Sequence, residues 1–224
     1  MPAVRDWGYR PYDDALAEMR RLRSARRRGE IDDTLLLVEH PAVITVGVQG
    51  DDGESFPPGV PVVRVERGGK STYHGPGQLV GYPIVDLEPR GRDVRRFVAD
   101  VEEIVVRSLA EVGLSAGRVA GKRGVWVDGA RKIASIGIAV EEWVTFHGFA
   151  LNVDLDLAAF GSFHPCGFDP SVMTSVSREL GRRVPVDALK TPVLRAWSSV
   201  FGPSGSAPAR SPASPELVPA AAGP

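Results

Sequence analysis

Residues 125–153 read VWVDGARKIASIGIAVEEWVTFHGFALNV. Val125-Trp126-Val127 and the run Ile133 to Val140 flank Asp128-Gly129, a strong short-range hairpin signal. Trp143 to Val153 reads as a further strand, so three successive strands form a meander. Outward from it, Leu79 to Leu87 is a strand after a glycine-rich turn, and Val62 to Glu66 is another. Thr34 to Val38 and Val43 to Gly47 are strands broken by Glu39-His40-Pro41. The clearest helix is Val94 to Val112. Its apolar positions Val94, Phe97, Val98, Val101, Ile104, Val105, Leu109 and Val112 make a 3.6-residue stripe. Asp93 suits its N-cap and Gly113 its stop. Asp13 to Arg28 reads as a helix with the narrow stripe Leu16, Met19 and Leu22, and Val186 to Val200 as a last helix. Strands in runs with few helices between them predict an α+β fold with a mixed or antiparallel sheet, not a doubly wound one.

The chain has 224 residues, a formal charge of −1, 43% hydrophobic and 25% charged residues, as in an ordinary globular protein. That charge argues against a globally basic nucleic-acid binder. No apolar run reaches the ~18–20 residues that span a bilayer, and the N-terminus has no apolar segment of a secretory signal. A cytoplasmic protein with no membrane partner is expected. A single cysteine, Cys166, excludes an intrachain disulfide and a multi-cysteine metal site. Six of the 19 prolines fall in residues 203–224, which read as a disordered tail behind one folded domain of residues 1–202. Arg20, Arg21, Arg23, Arg26, Arg27 and Arg28 crowd one helix end. They read either as a solvated face or as a docking patch for an acidic partner.

The densest functional signal is RGGKSTYHGPGQ, residues 67–78, where glycines let a backbone approach a ligand and polar side chains orient it. Gly69-Lys70-Ser71 imitates the end of a P-loop, but Arg64 stands where its first glycine belongs, and a strand follows instead of a helix. Cys166 lies in FHPCG. A lone cysteine is often an inert small hydrophobe, yet proline and glycine flanks suggest an exposed thiol. A nucleophilic thiol needs a base or cation nearby. Lys132 is a candidate. If Lys132 to Val140 is regular, Lys132 shares a face with Ala134, Ile136, Ile138 and Val140, where its pKa would fall. Alternatively it sits at the strand end and snorkels into water. His40, His74, His147 and His164 form no tight metal pair, so no metal is expected. His147 reads equally as a core histidine or a catalytic one.

LLLVEHPAVITVG, RGGKSTYHGPGQLVGYP, RKIASIGIAV with FHGFALNVDL, and HPCGF, in this order along the chain, resemble the lipoyl(octanoyl) transferases over roughly residues 10–200. The resemblance implies the biotin/lipoate protein ligase catalytic fold, a mixed sheet backed by helices. It implies Cys166 as nucleophile and Lys132 as its base. It places an acyl and thioester pocket on Arg67, Gly68, Gly69, Lys70, Ser71, Thr72, Tyr73 and His74, on Ser135, Ile136 and Gly137, and on Gly148, Phe149 and Ala150. His164 inherits no role.

The implied reaction moves an octanoyl group from octanoyl-acyl carrier protein to the lysine of a lipoyl domain in lipoate biosynthesis. Acceptors would be the lipoyl domains of 2-oxoacid dehydrogenase complexes and the glycine cleavage H protein. No cofactor is expected, because the thioester is already activated. Three other readings remain: an ATP-dependent lipoate or biotin ligase, a non-catalytic lipoyl-carrier binding protein, and a cysteine hydrolase.

Overall fold

The computed structural model describes residues 2–50, 55–161 and 168–202. Cys166, His164 and the proline-rich segment 203–224 lie outside the described residues.

The meander is the centre of the fold. Strands β8 (Lys122–Val127), β9 (Arg131–Glu141) and β10 (Val144–Asn152) pair antiparallel in succession. Asp128 (φ 49°) and Gly129 (φ 69°) both turn left-handed and the Ala130 amide donates to the Val127 carbonyl (3.1 Å); with Val127 paired to Arg131, three residues connect the strands. The second turn, Glu142 (φ 49°) and Trp143 (φ 63°), adopts the same pair without a glycine. Tertiary contacts hold it: the Leu87 amide donates to the Trp143 carbonyl (2.8 Å), and the Arg92 guanidinium lies over the indole.

Strand β10 continues the sheet to β6 (Gln78–Ile84), then β2 (Thr34–Glu39), then β1 (Ala3–Tyr9), while β7 (Gly117–Val119) closes the other edge. Only β1 and β2 run parallel, so this seven-stranded sheet is mixed. A second sheet of β4 (Val62–Arg64), β3 (Val43–Val46) and β5 (Ser71–His74) carries the glycine-rich segment. Strand β2 is apolar on both faces. Leu35 and Leu37 join the core under α2 (Val94–Glu111) and α4 (Asp187–Phe201), and Leu36 and Val38 join the core under α1 (Tyr12–Arg27). A short helix, α3 (Val176–Leu180), precedes α4. The Asp93 side chain caps α2 by accepting from the Arg96 amide (2.9 Å).

The α+β expectation therefore holds, and the differences are local. Strand β1 escapes the sequence reading because AVRDWGY has no buried alternation; it is an exposed edge held by backbone pairing. The glycine-rich segment is not all loop, since Ser71–His74 pairs antiparallel with Val43–Val46. Among the described residues no helix is long and apolar enough to cross a membrane. The arginine-rich end of α1 is neutralised locally. Arg20 pairs with Glu66, Arg21 with Glu18, Arg23 with Glu141, Arg26 with Asp33, Arg27 with Glu88 and Arg28 with Glu30. Such pairs contribute little stability, and they remove the unpaired positive patch that a docking role needs.

Helix α4 closes on Phe201, whose ring lies 4.5 Å from Trp197 and 5.8 Å from Phe97, centroid to centroid. Deleting residues 203–224 is accordingly expected to leave the melting temperature and turnover unchanged. A lowered melting midpoint would assign that segment a packing role.

Candidate active site

Strand alternation aims half of β5 at the centre of the molecule. Thr72 and His74 face a slot, while Ser71 and Tyr73 do not line it. Tyr73 packs instead with Ile44, Leu155 and Phe160. Lys70 is exposed. The other walls are Arg67, Gly68 and Gly69 from the loop before β5, and Ser135-Ile136-Gly137 paired across β9 and β10 with Ala150, Phe149 and Gly148. The slot contains about 420 Å³ not filled by protein atoms, its mouth included. At Gly148 a Cβ would stand 2.0 Å from the Gly81 carbonyl oxygen, so β10 can approach β6 this closely only with glycine there.

Sequence reasoning left out Tyr12, Val80 and Tyr82, which complete the lining, and left His147 undecided between core and site. The missing signal was spacing: these residues come from α1, β6 and β10 and meet only in the folded chain. His147 holds a left-handed backbone (φ 57°) within a strand, a costly conformation for a non-glycine residue.

Arg67 organises the loop. Its guanidinium donates to the Thr45 carbonyl (2.7 Å) and hydroxyl (2.8 Å) and to the Lys70 carbonyl (2.8 Å). His74 Nδ1 is 2.8 Å from the Gln78 side-chain oxygen, which can only accept, so Nδ1 carries the proton. Gln78 then donates to Asn152 Oδ1 (3.0 Å), and Asn152 donates to the Thr174 carbonyl (3.0 Å). The Thr174 amide donates to the Lys132 carbonyl (3.0 Å). An unbroken polar chain thus ties the slot to the strand bearing Lys132.

The buried histidines are held neutral. Burial lowers His74 to about 3 and His40 to about 4. Burial also lowers His147, against the opposing pull of Glu66. His40 Nδ1 donates to the Arg10 carbonyl (2.7 Å), and Nε2 accepts from the Tyr82 hydroxyl (2.8 Å). The pH consequence has a definite sign. Above pH ~6.5 His40 is neutral in the folded and unfolded chain alike. Below that, the unfolded chain binds a proton that the folded chain refuses until about pH 4. Stability therefore falls as pH drops through this window, by up to ~1.4 kcal/mol per pH unit from this residue. His40→Gln should reduce that slope in denaturant titrations at several pH values. An unaltered slope would contradict the assignment.

Lys132 is 2% exposed, so it does not snorkel. Nor does it share a face with Ala134 as regular alternation predicts. Val125 pairs with Ala134 but Trp126 with Lys132, so β9 has one extra residue, Ile133. Ile133 and Ala134 both enter the core under α2 and α4, and Lys132 turns to the opposite face with Trp126. There its Nζ lies 5.6 Å from the Trp126 ring centroid and 4.8 Å from that of Phe168. Gly124 (φ 113°) makes room, since a Cβ there would stand 2.9 Å from Lys132 Cε and 2.4 Å from the Ala134 carbonyl oxygen. Lys132 also forms an isolated parallel bridge with Met173. Among the described residues no three His, Cys, Asp or Glu side chains converge as a metal would require.

A sheet with this slot and this lysine can be compared with known proteins. Residues 11–198 match the family described as the lipoyl protein ligase A/B catalytic domain. The chain belongs to that family. Within the lipoyl protein ligase A/B family, a relative named octanoyltransferase from Geobacter sulfurreducens is 46% identical over 189 residues, covering 84% of this chain and 80% of its own. An octanoyltransferase from Mycobacterium bovis is 50% identical over 196 residues, covering 86% and 84%. The family fold is also seen in a structure of lipoate-protein ligase A bound with ATP, with TM-score 0.70, 17% identity, and 88% and 84% coverage. This member of the family is an acyltransferase.

Proposed function

We propose that this octanoyltransferase of lipoate biosynthesis takes its acyl group from octanoyl-acyl carrier protein and delivers it to the lysine of a lipoyl domain through a thioester on Cys166. One observation supports this most: the ring of Phe168 lies 4.8 Å from Lys132 Nζ. Phe168 follows Cys166 by two residues in the sequence, and two extended residues reach at most ~7 Å.

In the first half-reaction Lys132 Nζ accepts the Cys166 proton. The thiolate attacks the carbonyl of the donor thioester, the tetrahedral intermediate collapses, and the carrier thiolate leaves and takes that proton. A thioester replaces a thioester, so the step is near thermoneutral. In the second half-reaction the acceptor amine attacks the acyl-enzyme. An amide forms, the Cys166 thiolate leaves, and Lys132 accepts the proton the amine loses. Ordinary pKa values of ~8.5 for a thiol and ~10.4 for an amine leave little thiolate in water, so the two groups work as a coupled pair.

The octanoyl chain occupies the slot, against Val80, Ile136, Phe149 and Ala150, with Arg67, Thr72 and His74 along its polar wall. The natural acceptors are the lipoyl domains of 2-oxoacid dehydrogenase complexes and the glycine cleavage H protein. Intact mass of the enzyme after incubation with octanoyl-carrier protein tests the reading. A single octanoyl adduct, mapped to Cys166 and discharged by a lipoyl domain without ATP, is expected. Transfer with no covalent enzyme adduct would overturn it.

A further inference from the structure

Carboxylates engage most of the surface cations. Besides the arginines of α1, Arg118 on β7 lies 3.5 Å from Glu102 and 2.7 Å from Glu103. Lys122 and Arg123 differ. They open β8 as exposed residues, and among the described residues neither has an ion-pair partner. Lys122 Nζ lies over the Trp126 indole, 5.1 Å from its centroid, and Lys132 Nζ is 5.6 Å from the same centroid. The two ammonium groups are therefore no farther apart than those distances combined. Arg123 lies against Gly68, with a guanidinium nitrogen 3.4 Å from where a Cβ on that glycine would be. Gly68 lines the slot. Two exposed cations without a direct ion pair among the described residues thus border the site, Arg123 beside the slot at Gly68 and within electrostatic reach of Glu102, and Lys122 on the indole that Lys132 also faces.

We propose that Lys122 and Arg123 are the docking edge for the acceptor protein and receive carboxylates beside its target lysine. The inference rests on the acyl-enzyme reading above. Reach decides between the two protein partners. An acceptor amine sits on a four-carbon stem, so its backbone must come within one side-chain length of the acyl carbon. The donor thioester hangs on a much longer arm, which lets its carrier stand back. Cations this close to Lys132 fall within the acceptor's footprint. They would repel a basic segment and complement an acidic one. Being solvated, they act on association and on its salt dependence.

The test separates the half-reactions in K122E/R123E. Acylation of Cys166 by octanoyl-carrier protein, followed by intact mass, should keep the wild-type rate. Discharge of the preformed acyl-enzyme onto a lipoyl domain at low salt should fall about tenfold in kcat/KM, with the deficit shrinking as salt is added. Changing the acceptor carboxylates nearest its target lysine to lysine should restore the variant's rate. K122A/R123A should shift discharge in the same direction by less, and a melting curve confirms that each variant folds. Unchanged discharge overturns the proposal. A slowed acylation step also overturns it, by assigning the pair to the donor. Failure of the wild-type enzyme to acylate at Cys166 would instead overturn the acyl-enzyme reading, and this inference with it.

Discussion

Cys166→Ser is expected to lower transfer to a lipoyl domain by several orders of magnitude. A serine hydroxyl is far less acidic than a thiol, so Lys132 would have to deprotonate a group it activates poorly. An ester would also replace the acyl thioester, and an ester is a weaker acyl donor to an amine. The exchange of sulfur for oxygen is nearly isosteric, so the melting temperature and lipoyl-domain binding should persist. Loss of turnover with binding retained would separate an acyl-enzyme from a protein that only brings its partners together. Near wild-type transfer by the serine variant would falsify covalent thiol catalysis.

Lys132 should be nearly as sensitive, and its surroundings allow two informative variants. Lys132→Met keeps an unbranched stem between Trp126 and Phe168 but removes the amine. Transfer should fall about 10²–10⁴-fold, the range for a lost general base. Stability should hold or rise, because an apolar side chain replaces a buried ionisable one. Lys132→Arg keeps a positive charge but cannot accept a proton near neutral pH. It must also fit a longer head group beside Gly124, whose missing Cβ is what accommodates the lysine stem. Some acyl-enzyme could still form, since a fixed cation favours the thiolate, but transfer should be lost nearly as in Lys132→Ala. Full transfer by the arginine variant would exclude Lys132 as the base.

Much of this architecture is local enough to be legible in one chain. Asp128-Gly129 specifies a left-handed turn, and the apolar runs on either side pair because the turn sets their register. The stripe from Phe97 to Leu109 with Asp93 before it is an amphipathic helix with its cap. RGGKSTYHGPGQ stands out because glycines and polar groups crowd into one short run. Strands β1 and β7 were not legible: β1 is an exposed edge strand whose parallel partner lies beyond α1, and β7 is only three residues long, too short to show a pattern.

Sequence by itself thus determined the meander and the helix that backs it, because each is written in neighbouring residues, and it named candidates for the chemistry. Tertiary structure alone decided which way the key side chains point. Alternation puts Lys132 with Ala134, but pairing with β8 leaves Ile133 as the extra residue and turns the lysine to the Trp126 face. Tyr12, His40, His74, Tyr82 and His147 come from separate parts of the chain, and their shared burial is the main cause that holds the histidines neutral. The arginines of α1 look like a basic patch in sequence and are not one in space, because carboxylates far along the chain fold onto three of them and nearby ones onto the rest. Strand face, burial and charge compensation depend on partners distant in sequence, and one-dimensional periodicity has no term for them.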